Sequence, residues 1–260
     1  SFYKLGKSDL NLPFRTKQNA NKGDFGHVFI VSGQKSGAAR IAGLAALTIG
    51  AGLVSVVGEN LNIEPVLMQS ARIAPKMRVG AVGMGLGELN EAQKDELFSE
   101  LKTKDALVID ADLCYEPRTL ELLNSKNVVI TPHPKEFQSL LANSGLAQVS
   151  VVEIQEHRFE YLRLFCGAFP QAVIVLKGAY PLIGCGNQVF VNPLGTNALA
   201  KAGAGDVLSG MITALAAQGY PSLEAAYTAS LAHAEAAKLL YTSDYGLTAS
   251  ALAQATGRLK

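Results

Sequence analysis

Residues 192 to 219, NPLGTNALAKAGAGDVLSGMITALAAQG, place a carboxylate directly after a run of very small residues. From Val207 onward, Leu208, Met211, Ile212 and Leu215 recur at helical spacing and Gly219 is placed to end the helix, so Asp206 is expected at the helix start. The run Ala202-Gly203-Ala204-Gly205 before it lets a ligand approach the backbone and the unpaired amides of a first turn. Such an end favours anions. Gly203, Ala204 and Gly205 suit a phosphate as an anion hole, and Asp206 beside them suits taking a proton from a hydroxyl that attacks or receives that phosphate. The alternative is an ordinary helix cap, with the Asp206 oxygens occupied by the amides two and three residues on.

Other polar groups follow apolar runs that read as strands. HVFIVS at 27 to 32 leads into Gly33, with a helix from about Gly37 and a strand at 53 to 57. Residues 79 to 82 lead into Gly83-Met84-Gly85-Leu86-Gly87, and a charged helical pattern runs from Glu91 to Lys102. ALVI at 106 to 109 leads into Asp110-Ala111-Asp112, NVVIT at 127 to 131 into Pro132-His133-Pro134, and AVIVLK at 172 to 177 into Gly178. Short apolar strands alternating with helices predict an α/β fold, a mostly parallel central sheet with helices on both faces. Ligands of open α/β sheets bind outside the carboxyl ends of the strands, so Gly33, the 83 to 87 loop, Asp110, His133, Lys177 and Asp206 are expected to converge. Each taken alone has a plainer reading: turns for the glycines, helix caps for Asp110, Asp112 and His133, a surface turn for Lys177.

Composition narrows the classes. The 260 residues are 48% hydrophobic and 17% charged, enough for one large core. Lys and Arg number 23 against 22 Asp and Glu, a balance that suggests neither nucleic acid nor a membrane surface as partner. Cys114, Cys166 and Cys185 lack metal-ligand spacing and the density of a disulfide scaffold, which fits a reducing cytoplasm. The 83 to 87 stretch lacks the spacing of the dinucleotide fingerprint, and Gly6-Lys7-Ser8 lacks the earlier glycine of a P-loop. His27, His157 and His233 lie in or beside apolar patterns and read as structural.

ITPHPKEF at 130 to 137, VLKG at 175 to 178 and NALAKAGAGDVLSG at 197 to 210, in that order, closely resemble the ADP-dependent NAD(P)H-hydrate dehydratases of the ribokinase-like superfamily. The resemblance runs from KGDFGHV at 22 to 28 to near the C-terminus, taking in GLTASAL at 246 to 252. Residues 1–21 fall outside it as a leader or linker, and 22–260 form the single expected domain. Met84 stands where relatives usually have Pro, and Leu113-Cys114-Tyr115 where they more often carry Ala-Leu.

The resemblance implies repair of nicotinamide cofactors hydrated at the reduced ring. ADP (or ATP) phosphorylates the ring hydroxyl, and phosphate leaves to restore NADH or NADPH. Asp206 would be the base, Ala39, Gly85, His133 and Asp206 would contact the hydrate, and Lys177, Gly178, Ala179, Tyr180, Pro181 and Gly205 the nucleotide. Glu136 would reach Mg2+ through water. The resemblance also implies a homo-oligomer, a tetramer among the options, and a native chain fused to an N-terminal epimerase domain, since residues 1–21 resemble the joining segment of bifunctional relatives. A small-molecule kinase of the same superfamily and a non-catalytic nucleotide-binding module are the rival functions.

Overall fold

The computed structural model describes residues 1–59, 61–124, 127–241, 243 and 245–260. In chain order the strands are β1 (Phe2–Lys4), β2 (His27–Val31), β3 (Leu53–Val57), β4 (Met68–Ser70), β5 (Val79–Val82), β6 (Ala106–Ile109), β7 (Val128–Ile130), β8 (Val173–Leu176), β9 (Leu182–Cys185) and β10 (Gln188–Val191). They form one sheet ordered β1-β10-β9-β8-β7-β6-β5-β2-β3-β4. From β8 to β4 all neighbours are parallel, whereas β9 runs antiparallel to both β8 and β10. Near-continuous apolar runs such as Val28-Phe29-Ile30 are what a sheet covered on both faces requires, and all three are fully buried.

The helices are α1 (Ser36–Thr48), α2 (Glu91–Leu101), α3 (Thr119–Leu123), α4 (Pro134–Asn143), α5 (Val151–Glu156), α6 (Arg158–Ala168), α7 (Ala204–Ala217), α8 (Ser222–Leu239) and α9 (Ala249–Thr256). One core lies between the sheet and α1, α7, α8 and α9. The second lies on the other face, under α2, α3, α4, α5 and α6, and holds Phe98, Leu122, Phe137, Ile154 and Phe165. The expected two-faced α/β layering is therefore present.

The chain passes from β2 to β3 on one side and returns to β5 on the other, so β2 and β5 meet where the strand order reverses. Loops leaving two such strands part company and open a crevice at their carboxyl ends. Here the loops also touch: Lys35 N donates to the Gly85 carbonyl at 3.0 Å and Gln34 N to that of Leu86 at 3.3 Å. Gly33 is required for this approach, because a Cβ there would run into the Leu86 backbone.

Two parts of the sheet escape a reading of apolar runs. Residues 1–21, expected as a leader outside the domain, supply the edge strand β1, parallel to β10. Leu5 is 5% exposed and its amide donates to the Val191 carbonyl at 2.9 Å. Farther on, Asn11 Nδ2 donates to Glu224 Oε1 at 2.7 Å and Tyr220 donates its hydroxyl proton to the Asn11 carbonyl at 3.0 Å. Phe2–Lys4 is short and all exposed in side chain, held by backbone pairing and by the stacking of Tyr3 on Phe190, and no hydrophobic pattern announces it. The β9 and β10 hairpin turns at Gly186-Asn187, a turn signal that four-residue strands left unsupported. Among the described residues no helix is long and apolar enough to cross a membrane.

Candidate active site

Helix α7 begins at Ala204, earlier than its apolar spacing indicates, with Gly203 as N-cap at φ 86°. Asp206 is thus the third residue of the first turn, and its carboxylate accepts none of the capping bonds that the alternative reading required. The Ala204 amide donates to the Lys201 carbonyl at 3.2 Å. This corrects the expected anion hole: Ala204 is not a free donor, while the Gly205 and Asp206 amides have no acceptor among the described residues. His233 of α8, read as purely structural, holds this turn from behind, its Nε2 2.9 Å from the Ala204 carbonyl. Burial drives its ring down to about 4, so the neutral ring donates that bond.

Beside Asp206 lies a buried polar cluster. Asp110, 2% exposed at the end of β6, accepts from Lys177 Nζ at 2.8 Å and from the Ala111 amide at 2.9 Å through Oδ1. Its Oδ2 accepts from the Ser209 hydroxyl of α7 at 2.7 Å, one turn after Asp206. The plain readings hold in part for the two aspartates and fail for Lys177. Asp110 caps the short helical turn at 111 to 115, and Asp112 takes the Gly87 amide at 2.9 Å, bracing the glycine loop. Lys177 is no surface turn residue: its side chain is 20% exposed and 3.8 Å from Glu136 Oε2. Burial alone would lower the Lys177 ammonium, but Asp110 and Glu136 outweigh it and hold it above the ordinary value.

His133 is the N-cap of α4, its Nδ1 accepting from the Lys135 and Glu136 amides at 3.2 Å with Pro134 at the first helical position. Glu136 completes the box by accepting from the His133 amide at 2.7 Å, and its Oε1 lies 3.0 Å from His133 Nε2. Each oxygen of Glu136 already has one partner in the capping box, which leaves lone pairs for a water but makes direct coordination of a metal unfavourable. Among the described residues no group of three or more His, Cys, Asp or Glu is arranged to hold a metal ion.

Asp206 itself is partly buried, and its carboxyl is pushed up to about 6, by burial first and by the Asp110 charge next, with Lys177 opposing. That value suits a general base near neutral pH. If Asp206 must be ionised to act, kcat/KM should fall about tenfold per pH unit below about 6. A profile flat down to pH 5 would contradict a base whose carboxyl is raised to about 6.

A cleft of about 600 Å³ adjoins this helix end. Lys177, Gly178, Ala179, Tyr180, Pro181 and Gly205, the residues expected at the nucleotide, all line it. Ala39, Gly85, His133 and Asp206 do not. Gly85 abuts the N-terminus of α1 and His133 leads through Glu136 to Lys177, but Ala39 is fully buried and offers a ligand no surface. The sequence reading missed the opposite wall, which includes Leu194, Thr196, Asn197 and His233. Asn192, 1% exposed, anchors that wall by donating to the Ser230 carbonyl at 3.0 Å and hydroxyl at 2.9 Å. Its Asn-Pro-Leu-Gly context was visible as a loop signal, but not its partner. Met84, in place of the usual proline, is fully buried, and the bonds to Gln34, Lys35 and Asp112 brace its loop.

A mostly parallel sheet with one antiparallel strand, β9, a glycine-rich helix start and a cleft beside it define the ribokinase-like class. A ribokinase-like superfamily protein from Enterococcus faecalis has this fold at TM-score 0.81, with 23% identity over 99% of this chain and 94% of its own. The sequence pattern of the NAD(P)H-hydrate dehydratase family matches residues 28–257, and the chain belongs to that family. The ADP/ATP-dependent NAD(P)H-hydrate dehydratase of Bacillus subtilis, co-crystallised with ATP and Mg2+, superimposes at TM-score 0.81 with 28% identity, over 96% of this chain and 94% of that one. A bifunctional NAD(P)H-hydrate repair enzyme of Helicobacter pylori is 42% identical over 248 residues, 94% of this chain. The chain spans about half of that relative, 52% of its length.

Proposed function

We propose that this protein restores hydrated NADH or NADPH at the expense of ADP, releasing AMP and phosphate, with ATP as an alternative donor. The observation that carries the reading is the position of Asp206, its carboxyl raised to about 6, next to the free Gly205 amide that opens onto the nucleotide cleft. Asp206 takes the proton of the hydrate's hydroxyl as its oxygen bonds to the terminal phosphorus of ADP and the bond to the AMP oxygen breaks. The Gly205 and Asp206 amides donate to the phosphoryl oxygens, and Lys177 supplies positive charge nearby. The carbon–oxygen bond then breaks, phosphate leaves, and loss of a ring proton re-forms the double bond. Magnesium would neutralise charge on the nucleotide's phosphates, and Glu136, beside Lys177 at 3.8 Å, would reach it through water. The free Cys114, Cys166 and Cys185 support a cytoplasmic location.

The test is hydrated NADH with ADP and magnesium, followed by the return of NADH absorbance. A small-molecule kinase would instead accumulate a stable phosphorylated product, and a nucleotide-binding module would do nothing. Either result would reject the proposal.

A further inference from the structure

Arg158, the first residue of α6, has its guanidinium on backbone oxygens alone. Its Nη1 donates to the Ala179 carbonyl at 2.7 Å and reaches that of Tyr180 at 3.4 Å, and its Nη2 donates to Leu176 at 3.1 Å and reaches Lys177 at 3.4 Å. Its Nε is buried with no partner, and burial lowers the group with no carboxylate to offset it among the described residues. A charged side chain held this way costs more than a neutral one would, so packing alone does not account for it.

The segment it grips is the 177 to 181 wall of the nucleotide cleft. Gly178 has φ 140° and Tyr180 has φ 53°, both in the left-handed half of the map, and the absent Cβ at Gly178 leaves room for Nη2. Peptide units are planar and trans, so each amide proton points opposite to the carbonyl of its own unit. With the Lys177 and Ala179 carbonyls turned to Arg158, the Gly178 and Tyr180 amides are turned the other way, and neither donates to any acceptor among the described residues.

We infer that Arg158 is a positioning residue for the nucleotide: it gathers the carbonyls of the 176 to 180 segment and so presents the Gly178 and Tyr180 amides to acceptor atoms of a nucleoside diphosphate in the cleft. The inference rests on the nucleotide reading of that cleft. Arg158 touches no reacting atom, so its effect falls on binding. Lysine at this position keeps the charge but not the planar fork that serves carbonyls on both sides of Gly178.

The experiment measures ADP binding by calorimetry and steady-state kinetics for the wild type, Arg158→Met and Arg158→Lys, with thermal unfolding as a check of folding. Loss of two well-aimed amide donors, at about fivefold each, should raise the ADP Kd and KM of Arg158→Met about 10- to 30-fold. The kcat at saturating ADP should fall far less, and Arg158→Lys should lie between. If Arg158→Met does not fold, the Arg158→Lys comparison decides alone. Unchanged ADP affinity in a folded variant, or kcat falling in step with affinity, overturns the role of Arg158. A wild type that binds no ADP overturns the cleft reading itself, and is distinguished because no variant is needed to see it.

Discussion

Asp206→Asn is expected to fold, to bind ADP as well as the wild type or better, and to turn over at least about 100-fold more slowly, the lower bound of general-base catalysis. Asparagine keeps the size but cannot accept the hydroxyl proton at neutral pH. Helix capping offers no competing explanation of a loss, since Gly203 and not Asp206 is the cap. A second consequence has a definite sign. The carboxyl binds its proton more tightly in the folded state, at about 6, than at its ordinary 3.8, so wild-type stability falls as pH rises through that window. Asparagine has no such term. At ~1.4 kcal/mol per pH unit the variant gains at most about 3 kcal/mol above pH 6, and less because Asp206 is only partly buried. The gain should vanish below pH 4. Full turnover in a folded preparation would end the assignment of Asp206 as base, and an equally destabilised variant at pH 8 would contradict its raised carboxyl.

Lys177→Met should have the larger effect on stability. It removes the ammonium that lies 2.8 Å from Asp110 and 3.8 Å from Glu136, leaving two nearly enclosed carboxylates without their cation. Breaking a buried ion pair from one side typically costs about 3–5 kcal/mol, and the partial exposure of Lys177 places it near the lower end. For a chain of this size that corresponds to a fall in Tm of about 5 °C. The loss has a pH signature: burial already raises Glu136, removing Lys177 raises it further, and a carboxyl so raised loses stability as pH rises. The gap between variant and wild type should therefore be widest near pH 8 and narrow toward pH 5. Because Lys177 holds the Asp206 carboxyl down against burial and Asp110, the acid limb of kcat/KM should move above 6. An acid limb in its wild-type place would show that Lys177 does not act on Asp206, whatever the change in Tm.

How much of this was legible beforehand depended on the distance in sequence over which each contact acts. The strands β2, β3, β5, β6, β7 and β8 and the helices α1 and α2 were expected within a few residues of where they lie, because burial on both faces or one face imposes a pattern within a single segment. Short β1, β9 and β10, three or four residues each, were too brief to show a pattern, although Leu182, Ile183 and Val189 are buried. The glycine loop beside β2 and the capping box of His133 and Glu136 were likewise local in sequence. Asp206 was found because small residues before a helix expose amides whatever the fold.

The tertiary structure alone decided which polar groups were already spoken for. The Ser209 hydroxyl meets Asp110 across 99 residues, Lys177 meets it across 67, and His233 meets the Ala204 carbonyl across 29. Arg158, 18 to 22 residues from the carbonyls it holds, gave no sign in its own neighbourhood. From sequence the chain determined its α/β class, the acid at the helix start and the loops that follow the strands, since these follow from patterns within one segment. Only the folded chain decided that Ala204 is not a free donor, that Lys177 bridges Asp110 and Glu136 and that burial raises the Asp206 carboxyl to about 6. A hydrogen-bond partner and a desolvated charge are set by what lies within a few ångströms in space, and the sheet brings those groups together from strands far apart in the chain.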